Sequence, residues 1–259
     1  MRPFFLDSSQ LKSFLTEGYL KMDSFLPAIL LERLRSFFED EMNCQLDNTE
    51  KVIYTNKGKN YITNIENLCC KGNLSCLELL GYPPLLQIAE QICGSDFFMI
   101  QEFAVIKNLG DDLPVLWHLD MAHERKGRCF TMGIYLDDAN EDDGALRIVP
   151  KSHLSGKDIC ALSKEPGFEV PMKAGGILIH DMMLAHSSAS LVKNNLRRVI
   201  YFEFLSAAHV NAENIYTDDL VKRRTRLLFA ATKQYKNIYP AKEQFTLANE
   251  DVLEMLLKM

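Results

Sequence analysis

The sequence lacks the features that mark several broad classes of protein. No apolar run approaches the length that crosses a bilayer, and the apolar part of residues 1–7 is too short for a signal peptide. The 29 lysines and arginines are outnumbered by 35 aspartates and glutamates, which gives a net charge of -6. A nucleic-acid binder would show a basic footprint instead. These absences predict a cytoplasmic protein with neither a membrane span nor a nucleic-acid partner.

Cysteine is present, but it follows no pattern that marks a disulfide framework or a cysteine zinc site. The chain has seven cysteines, an odd number, and contains no C-x-x-C pair. This usage predicts a reduced, intracellular protein. The sequence also shows no internal repeat and no low-complexity linker, so we expect residues 1–259 to form a single domain.

Helical patterns occupy both ends of the chain. We expect an N-terminal helical region at about 1–95, a core at about 96–206 and a C-terminal helical tail at about 207–259. Within the first region, two apolar stretches at 52–54 and 61–62 flank a turn-forming segment and predict a hairpin. The expected helix-capping residues are Ser8 or Ser9, then Thr217 or Asp218, and finally Asn249.

The middle of the chain is typical of a β protein. Short apolar runs separated by turn residues predict strands that form a sandwich or barrel. These runs lie at 97–100, 103–106, 130–136, 145–149, 176–179 and 198–204. The fold class is therefore predicted to be mainly β with flanking helices.

A possible metal site lies in this middle region. His118 and Asp120 are two residues apart, and on a strand that spacing places both side chains on the same face. Non-haem iron(II) in oxygenases is held by two imidazoles and one carboxylate, with other positions left open. The third ligand can come from a distant strand, and the segment from His180 to His186 supplies further imidazoles.

Three blocks of this region together resemble the phytanoyl-CoA dioxygenase family. The blocks are WHLD at 117–120, DGALRIVPKSH at 143–153, and HSS at 186–188 with Arg197 eleven residues after His186. The family pattern reads W-H-x-D, then N-G-x-L-x-x-x-P-G-S-H, then H-x-S and the arginine. Here Lys151 stands where the family has glycine, and 191–193 read LVK where the family often has N-x-S. The resemblance implies a double-stranded β-helix, the jelly-roll or cupin-like fold.

The resemblance also implies a site and its reaction. It implies iron(II) as the cofactor, 2-oxoglutarate and O2 as cosubstrates, and ascorbate as a supporting reductant. The implied reaction is hydroxylation of a small molecule with release of succinate and CO2. The presence of Asp120 favours hydroxylation, because halogenating relatives carry a small residue there. The implied metal ligands are His118, Asp120 and His186, and the implied cosubstrate-binding residues are Arg197, Ser188 and Gln101. Arg198, next to Arg197, should point to the other face of the strand.

Other residues carry weaker expectations. His123, in the loop after Asp120, and Trp117 are candidate substrate contacts, and His180 could orient a metal ligand. The basic residues at 222–226 are expected on a solvated helix face. Two alternatives stay open: a catalytically silent metal-binding scaffold of the same fold, and an oxygenase that modifies a peptide or protein. The sequence indicates neither the substrate nor the oligomeric state.

Overall fold

The computed structural model describes residues 4–43, 50–69, 74–121, 123–213, 215–248 and 250. Its strands are β1 (Tyr19–Met22), β2 (Glu50–Asn56), β3 (Lys59–Glu66), β4 (Phe97–Asn108), β5 (Val115–His118), β6 (Cys129–Tyr135), β7 (Leu146–Ile148), β8 (Phe168–Val170), β9 (Ile177–Asp181), β10 (His186–Ser188) and β11 (Leu196–Ser206). Its α-helices are α1 (Ser8–Glu17), α2 (Ala28–Asn43), α3 (Leu74–Leu80), α4 (Pro83–Cys93), α5 (Ile159–Leu162), α6 (Ala207–Ala212) and α7 (Asp218–Ile238).

The strands form two antiparallel sheets. The major sheet has seven strands in the order β1-β9-β6-β11-β4-β3-β2, and the minor sheet has four in the order β5-β10-β7-β8. Most neighbours within each sheet are distant in the sequence, as in a double-stranded β-helix. The predicted jelly-roll core with flanking helices is confirmed.

Alternation along β11 explains how the layers pack. Val199 and Tyr201 join a cluster between the two sheets, whereas Ile200, Phe202 and Phe204 join the larger cluster beneath the helices. Successive side chains of a strand point to opposite faces, so a strand covered on both sides is apolar throughout. The major sheet therefore lies between the helices and the minor sheet.

Within the described residues, the N-terminal region contains three strands beside its four helices. The expected hairpin forms as β2 and β3, and β3 pairs with β4, while β1 pairs with β9. Three strands from residues before position 95 thus extend the major sheet, because its edges offer unpaired backbone groups. That the chain forms one domain stays a prediction.

The capping residues agree in part with the prediction. Thr217 caps α7, but the first helix is capped by Asp7, because its carboxylate accepts the backbone N–H groups of Ser9 and Gln10. The expected cap at Asn249 lies outside the described residues. Within the part of the chain that the structure describes, we find no helix with both the length and the apolar character of a bilayer span.

The basic segment at 222–226 is not uniformly solvated as expected. Arg224 is buried and donates to the carboxylate of Glu102 on β4, whereas Lys222, Arg223 and Arg226 are exposed. One turn of a helix places neighbouring residues on different faces, so a run of four basic residues cannot all point to solvent when the helix packs on a sheet.

Candidate active site

The three predicted metal ligands meet between the two sheets. β5 and β10 are antiparallel neighbours, and their pairing sets His118 directly opposite His186. Asp120 follows β5, and its Oδ1 lies 3.5 Å from His118 Nε2 and 3.4 Å from His186 Nε2. The ligand atoms of all three residues lie within 4.8 Å of one another. The pairing of two short strands therefore assembles two imidazoles and one carboxylate from distant parts of the chain.

Backbone carbonyls orient both imidazoles for coordination. His118 Nδ1 donates to the carbonyl of Leu116 at 2.8 Å, and His186 Nδ1 donates to the carbonyl of Leu184 at 2.9 Å. A proton held on Nδ1 leaves the lone pair on Nε2, which is the atom facing Asp120 in each case. The donor set is thus in the tautomeric form that a divalent transition metal requires.

The second oxygen of Asp120 has different partners from the first. Asp120 Oδ2 accepts hydrogen bonds from Thr131 Oγ1 at 2.6 Å and from His180 Nε2 at 2.9 Å. Thr131 and His180 are directly opposite each other on β6 and β9. Oδ1 alone is left facing the two imidazoles. The expectation that His180 orients a ligand agrees with this contact, but Thr131 was missed because a lone threonine in an apolar run carries no sequence signal.

The charges at this centre suit a cation. Burial raises the pKa of Asp120, but His186 and the hydrogen bonds from His118 and His180 outweigh it and hold the pKa well below its usual value. Burial also lowers the pKa of His186 to about 3, despite the opposing charge of Asp120. At neutral pH the site therefore combines an ionised carboxylate with a neutral imidazole at His186, both of which are metal-binding forms.

Arg197 is a buried cation without a counter-ion. Its side chain is 1% exposed, and it donates to the carbonyl of Gly144 at 2.8 Å and to the hydroxyl of Tyr201 at 3.2 Å. Its Nε has no hydrogen-bond partner, and no carboxylate in the described ranges forms an ion pair with it. A buried, uncompensated guanidinium is costly, so this end of the cavity is built for an anion.

Lys107 reinforces the positive charge beside Arg197. It lies directly opposite Arg197 on β4, and its Nζ donates to the carbonyls of Leu113 and Ser188 at 3.2 and 3.3 Å. Burial and then the charge of Arg197 lower the pKa of Lys107 to about 7, against the attraction of Asp111. Two cations in directly opposed positions repel each other. Lys107 was not predicted from the sequence. Its position four residues after Phe103 places both side chains on one face of the strand, and this spacing could have indicated that Lys107 lies beside the cavity.

Arg198 lies on the opposite face of β11, as predicted. It donates to both carboxylate oxygens of Asp137 at 2.8 and 2.9 Å, and to the backbone carbonyl of Arg35. Its charge is therefore neutralised within the helix-facing layer. Strand alternation separates the two neighbouring arginines into an ion-paired residue and an unpaired one.

A cavity of about 60 Å³ connects the ligand cluster with Arg197. Ser188, the other predicted cosubstrate contact, lines it and is buried. The remaining lining residues are Phe103, Val105, Val115, Thr131, Leu146, His180 and Tyr201. The cavity is therefore apolar along its sides, with a metal-type donor set and an uncompensated cation as its charged features.

Gln101 is not among the residues that line this cavity, contrary to prediction. Its side chain is exposed and hydrogen-bonds to Glu66 on β3. The pairing of β4 with β11 shifts by one residue just beyond the Gln101–Glu203 pair. Gln101 lies six residues along β4 from Lys107, about 20 Å at about 3.3 Å per residue, so it is far from Arg197 and Ser188.

Trp117 does not line this cavity either, and its contact with the substrate stays a prediction. It packs on the outer face of the minor sheet with Val149, Leu162 and Ala185, and Arg147 lies 5.9 Å from its ring centre. Adjacent residues on a strand point to opposite faces, so the side chain next to His118 must turn away from the cavity. Its contacts in this structure are those of packing.

His123 contacts another histidine rather than the cavity lining. Its ring stacks on His209 with 5.4 Å between ring centres, and the two Nε2 atoms are 3.4 Å apart. With Glu213 these residues have the spacing of a metal site. However, His209 Nδ1 accepts the backbone N–H of Lys126, so its proton lies on Nε2 and leaves no lone pair there for a metal. This pair anchors the loop after Asp120 to α6.

The sequence matches a known family over most of its length. The profile described as "Phytanoyl-CoA dioxygenase (PhyH)" matches residues 14–199. A shorter match is to the L-proline trans-4-hydroxylase of Streptomyces griseoviridis, 29% identical over 87 residues. That match covers 31% of this chain and 32% of the hydroxylase, so it spans about a third of that enzyme.

Several solved structures share this fold. EvdMO1 superposes with a TM-score of 0.67 at 25% identity, covering 77% of this chain but only 50% of that protein. AviO1 from Streptomyces viridochromogenes Tue57 gives 0.67 at 22% identity, covering 79% of this chain and 97% of AviO1. The epimerase SnoN, solved with Fe3+ and α-ketoglutarate, gives 0.65 at 17% identity and covers 77% and 83%. The last two likenesses establish the shared fold.

Proposed function

This chain belongs to the phytanoyl-CoA dioxygenase family of iron- and 2-oxoglutarate-dependent oxygenases, and from that premise we propose that it hydroxylates a small organic substrate. The reaction would consume 2-oxoglutarate and O2 and give the hydroxylated product, succinate and CO2. The observation that carries the proposal is the buried Arg197, which has no counter-ion and shares one cavity with His118, Asp120 and His186. We also propose a cytoplasmic location, from the charge balance and cysteine usage.

The residues present fit an iron(II) ion. His118 Nε2, His186 Nε2 and Asp120 Oδ1 are the donor atoms we assign to it, since two imidazoles and one carboxylate form the facial triad of non-haem iron oxygenases. The hydrogen bonds on the other nitrogens and on Oδ2 keep each donor atom turned towards the same point. Bound together, iron(II) and 2-oxoglutarate supply the activation of O2 that hydroxylation requires.

The residues present also fit the distal carboxylate of 2-oxoglutarate. We assign this carboxylate to Arg197, whose fork can present two N–H donors, with Ser188 beside it. Tyr201 lies between this arginine and Asp120, and it donates or accepts at its hydroxyl without adding charge. The anion would neutralise Arg197 and at the same time point its other end towards the ligand cluster.

The apolar wall of the cavity would orient the substrate and exclude water. Phe103, Val105, Val115 and Leu146 line it on both sheets. Exclusion of water protects a reactive centre from side reactions, and fixed walls hold the substrate close to it. A small substrate is supported by the modest cavity volume of about 60 Å³ and by the relative that acts on L-proline.

The proposal is tested by anaerobic reconstitution with iron(II), followed by 2-oxoglutarate, in the visible spectrum. The wild type should give the weak charge-transfer band of a chelated keto acid, His186→Ala should lose it, and Arg197→Ala should need much more 2-oxoglutarate. Matched controls are His153→Ala and Arg147→Ala, which remove a histidine and an exposed arginine outside the cavity. Aerobic assays with ascorbate would then measure succinate. A wild type that binds iron(II) yet shows no band with 2-oxoglutarate would contradict the proposal and favour the silent scaffold.

A further inference from the structure

Glu203 lies one step along β11 beyond the residues that line the cavity. Arg197, Val199 and Tyr201 all face the space between the sheets, and Glu203 continues the same alternation. Its direct neighbour on β6 is Thr131, which lines the cavity and bonds to Asp120. Directly opposed residues lie about 5 Å apart, so the Glu203 side chain begins next to the ligand cluster.

This position is at the open end of the cavity. Arg197 and its neighbour Lys107 are 1% and 2% exposed, whereas Glu203 is half-buried and its neighbour Gln101 is exposed. Six residues of strand separate Arg197 from Glu203, which is about 20 Å at about 3.3 Å per residue. The strand therefore carries a cation at the closed end and a carboxylate at the mouth, with the ligand cluster nearer the mouth.

The Glu203 carboxylate has no partner of its own. In the described ranges it makes no hydrogen bond and no ion pair. Several other carboxylates with similar or greater burial are satisfied by a cation or by backbone N–H groups. They are Asp181 with Arg125, Glu102 with Arg224, Glu78 with Arg33, Asp137 with Arg198, and Asp143 with three backbone amides. Glu203 thus differs from these carboxylates, because it has neither a cation nor a backbone N–H group as a partner.

The surroundings of Glu203 are negative. Burial first, and then the charges of Asp120 and Glu66, raise the pKa of Glu203 to about 8, against the weaker attraction of Arg224. Arg224 is already bonded to Glu102 on the other face of β4. Metal binding would offset the charge of Asp120, but it would leave Glu203 and Glu66 uncompensated. A cation that arrives from solvent would relieve both the burial and the repulsion.

We infer that Glu203 binds a positively charged nitrogen of the substrate, and that the substrate class is a small molecule with a primary or secondary ammonium group. This inference rests on the proposed function, because it places the ammonium beside the metal ligands. An ammonium group at this end would favour the ionised form of Glu203 and would form an ion pair with it. The cosubstrate carboxylate and the substrate ammonium would then occupy opposite ends of one cavity.

The test compares amines with their neutral counterparts on protein loaded with iron(II) and 2-oxoglutarate. The probes are L-proline, L-lysine and cyclohexylamine, each paired with its N-acetyl derivative. We expect at least one amine to shift the charge-transfer band and to stimulate succinate formation at a concentration about tenfold lower than its acetylated partner. Glu203→Gln should raise the half-saturating concentration of that amine by about tenfold or more while the band with 2-oxoglutarate alone is unchanged.

The matched control is Glu124→Gln, which makes the same change at an exposed glutamate of the loop after Asp120. It should leave the response to the amine unchanged. Three outcomes would each overturn the inference: equal responses to an amine and its acetylated partner, no response to any amine, or an unaltered response in Glu203→Gln. In each case a charge-transfer band with 2-oxoglutarate would still support the proposed oxygenase function. Loss of the band in the wild type would instead contradict the proposed function itself.

Discussion

At the scale of single residues, Asp120 has two oxygens with different partners. Oδ1 faces His118 and His186, whereas Oδ2 is held by Thr131 and His180. A carboxylate fixed in this way can bind a metal through one oxygen without rotating. The second pair of residues would therefore act on a bound metal through Asp120.

Removing either hydrogen bond to Oδ2 should weaken iron(II) binding. We expect Thr131→Val and His180→Phe each to raise the dissociation constant for iron(II) by about 10- to 100-fold, because Asp120 would lose its fixed orientation. Anaerobic metal titration measures this directly. Thr55→Val, at an exposed threonine on β2, is the control. Unchanged affinity in both variants would show that Asp120 is oriented by other means.

A second prediction at this scale concerns Lys107 and the pH dependence of 2-oxoglutarate binding. Its pKa is lowered to about 7 by burial and by Arg197, so it is cationic below that pH and neutral above it. Because the cationic form attracts a dianion more strongly, affinity for 2-oxoglutarate should fall as pH rises from 6.5 to 8.5. Lys107→Met should flatten this dependence, and Lys59→Met, at an exposed lysine, should not. Binding titrations across this range test it, and a wild-type affinity independent of pH would contradict it.

At the scale of elements, β11 separates two kinds of interaction by alternation. Its cavity face carries Arg197 without a counter-ion, and its helix face carries Arg198 paired with Asp137. One strand therefore serves the candidate site on one side and the packing of the helices on the other. The two arginines are adjacent in sequence, so they form a natural pair for mutation.

Replacing the two arginines should have different effects, one on the stability of the protein and the other on 2-oxoglutarate binding. Arg198→Ala should lower the free energy of unfolding by about 2 kcal/mol, since half-buried Asp137 loses its bidentate partner and keeps only the backbone N–H of residue 198 and a longer contact with Arg35, with little change in 2-oxoglutarate affinity. Arg197→Ala should weaken 2-oxoglutarate binding while the unliganded protein keeps its stability, because no ion pair is lost. Urea unfolding and ligand titration separate the outcomes. A large loss of stability in Arg197→Ala would show that this residue has a structural role.

At the scale of the whole molecule, the major sheet separates the helices from the cavity. Helices cover one face of this sheet and the minor sheet covers the other. The cavity therefore lies between the two sheets, and the helices pack on the far side of the major sheet. We propose that residues 1–259 form one domain, because β1 and β3, from the N-terminal region, pair directly with β9 and β4.

Ligands that bridge the two sheets should stabilise the folded protein together. Under anaerobic conditions, iron(II) and 2-oxoglutarate at about 100 times their dissociation constants should each add about 2.7 kcal/mol to the free energy of unfolding. The effect of 2-oxoglutarate should require both the metal and Arg197. Thermal unfolding of the wild type and Arg197→Ala, with and without metal, measures this. An equal effect of 2-oxoglutarate in both proteins would place its binding elsewhere.

The sequence by itself determined the elements and the ligand set. Periodicity identified the β core and the flanking helices, and the spacing of His118 and Asp120 indicated a shared strand face. The family resemblance supplied His186 and Arg197, which the fold brings into one cavity. Local spacing and a long motif can carry this information because they depend on neighbours along the chain.

The tertiary structure alone decided which residues surround those ligands. Strand pairing places Thr131 at the site and Lys107 and Glu203 next to residues that line it, whereas Gln101 lies too far along β4 and Trp117 is turned away by alternation. Each outcome depends on the register between strands that are distant in sequence, and a shift of one residue reverses every face. Such pairings are set by the packing of the whole sheet, which no local pattern in the chain specifies.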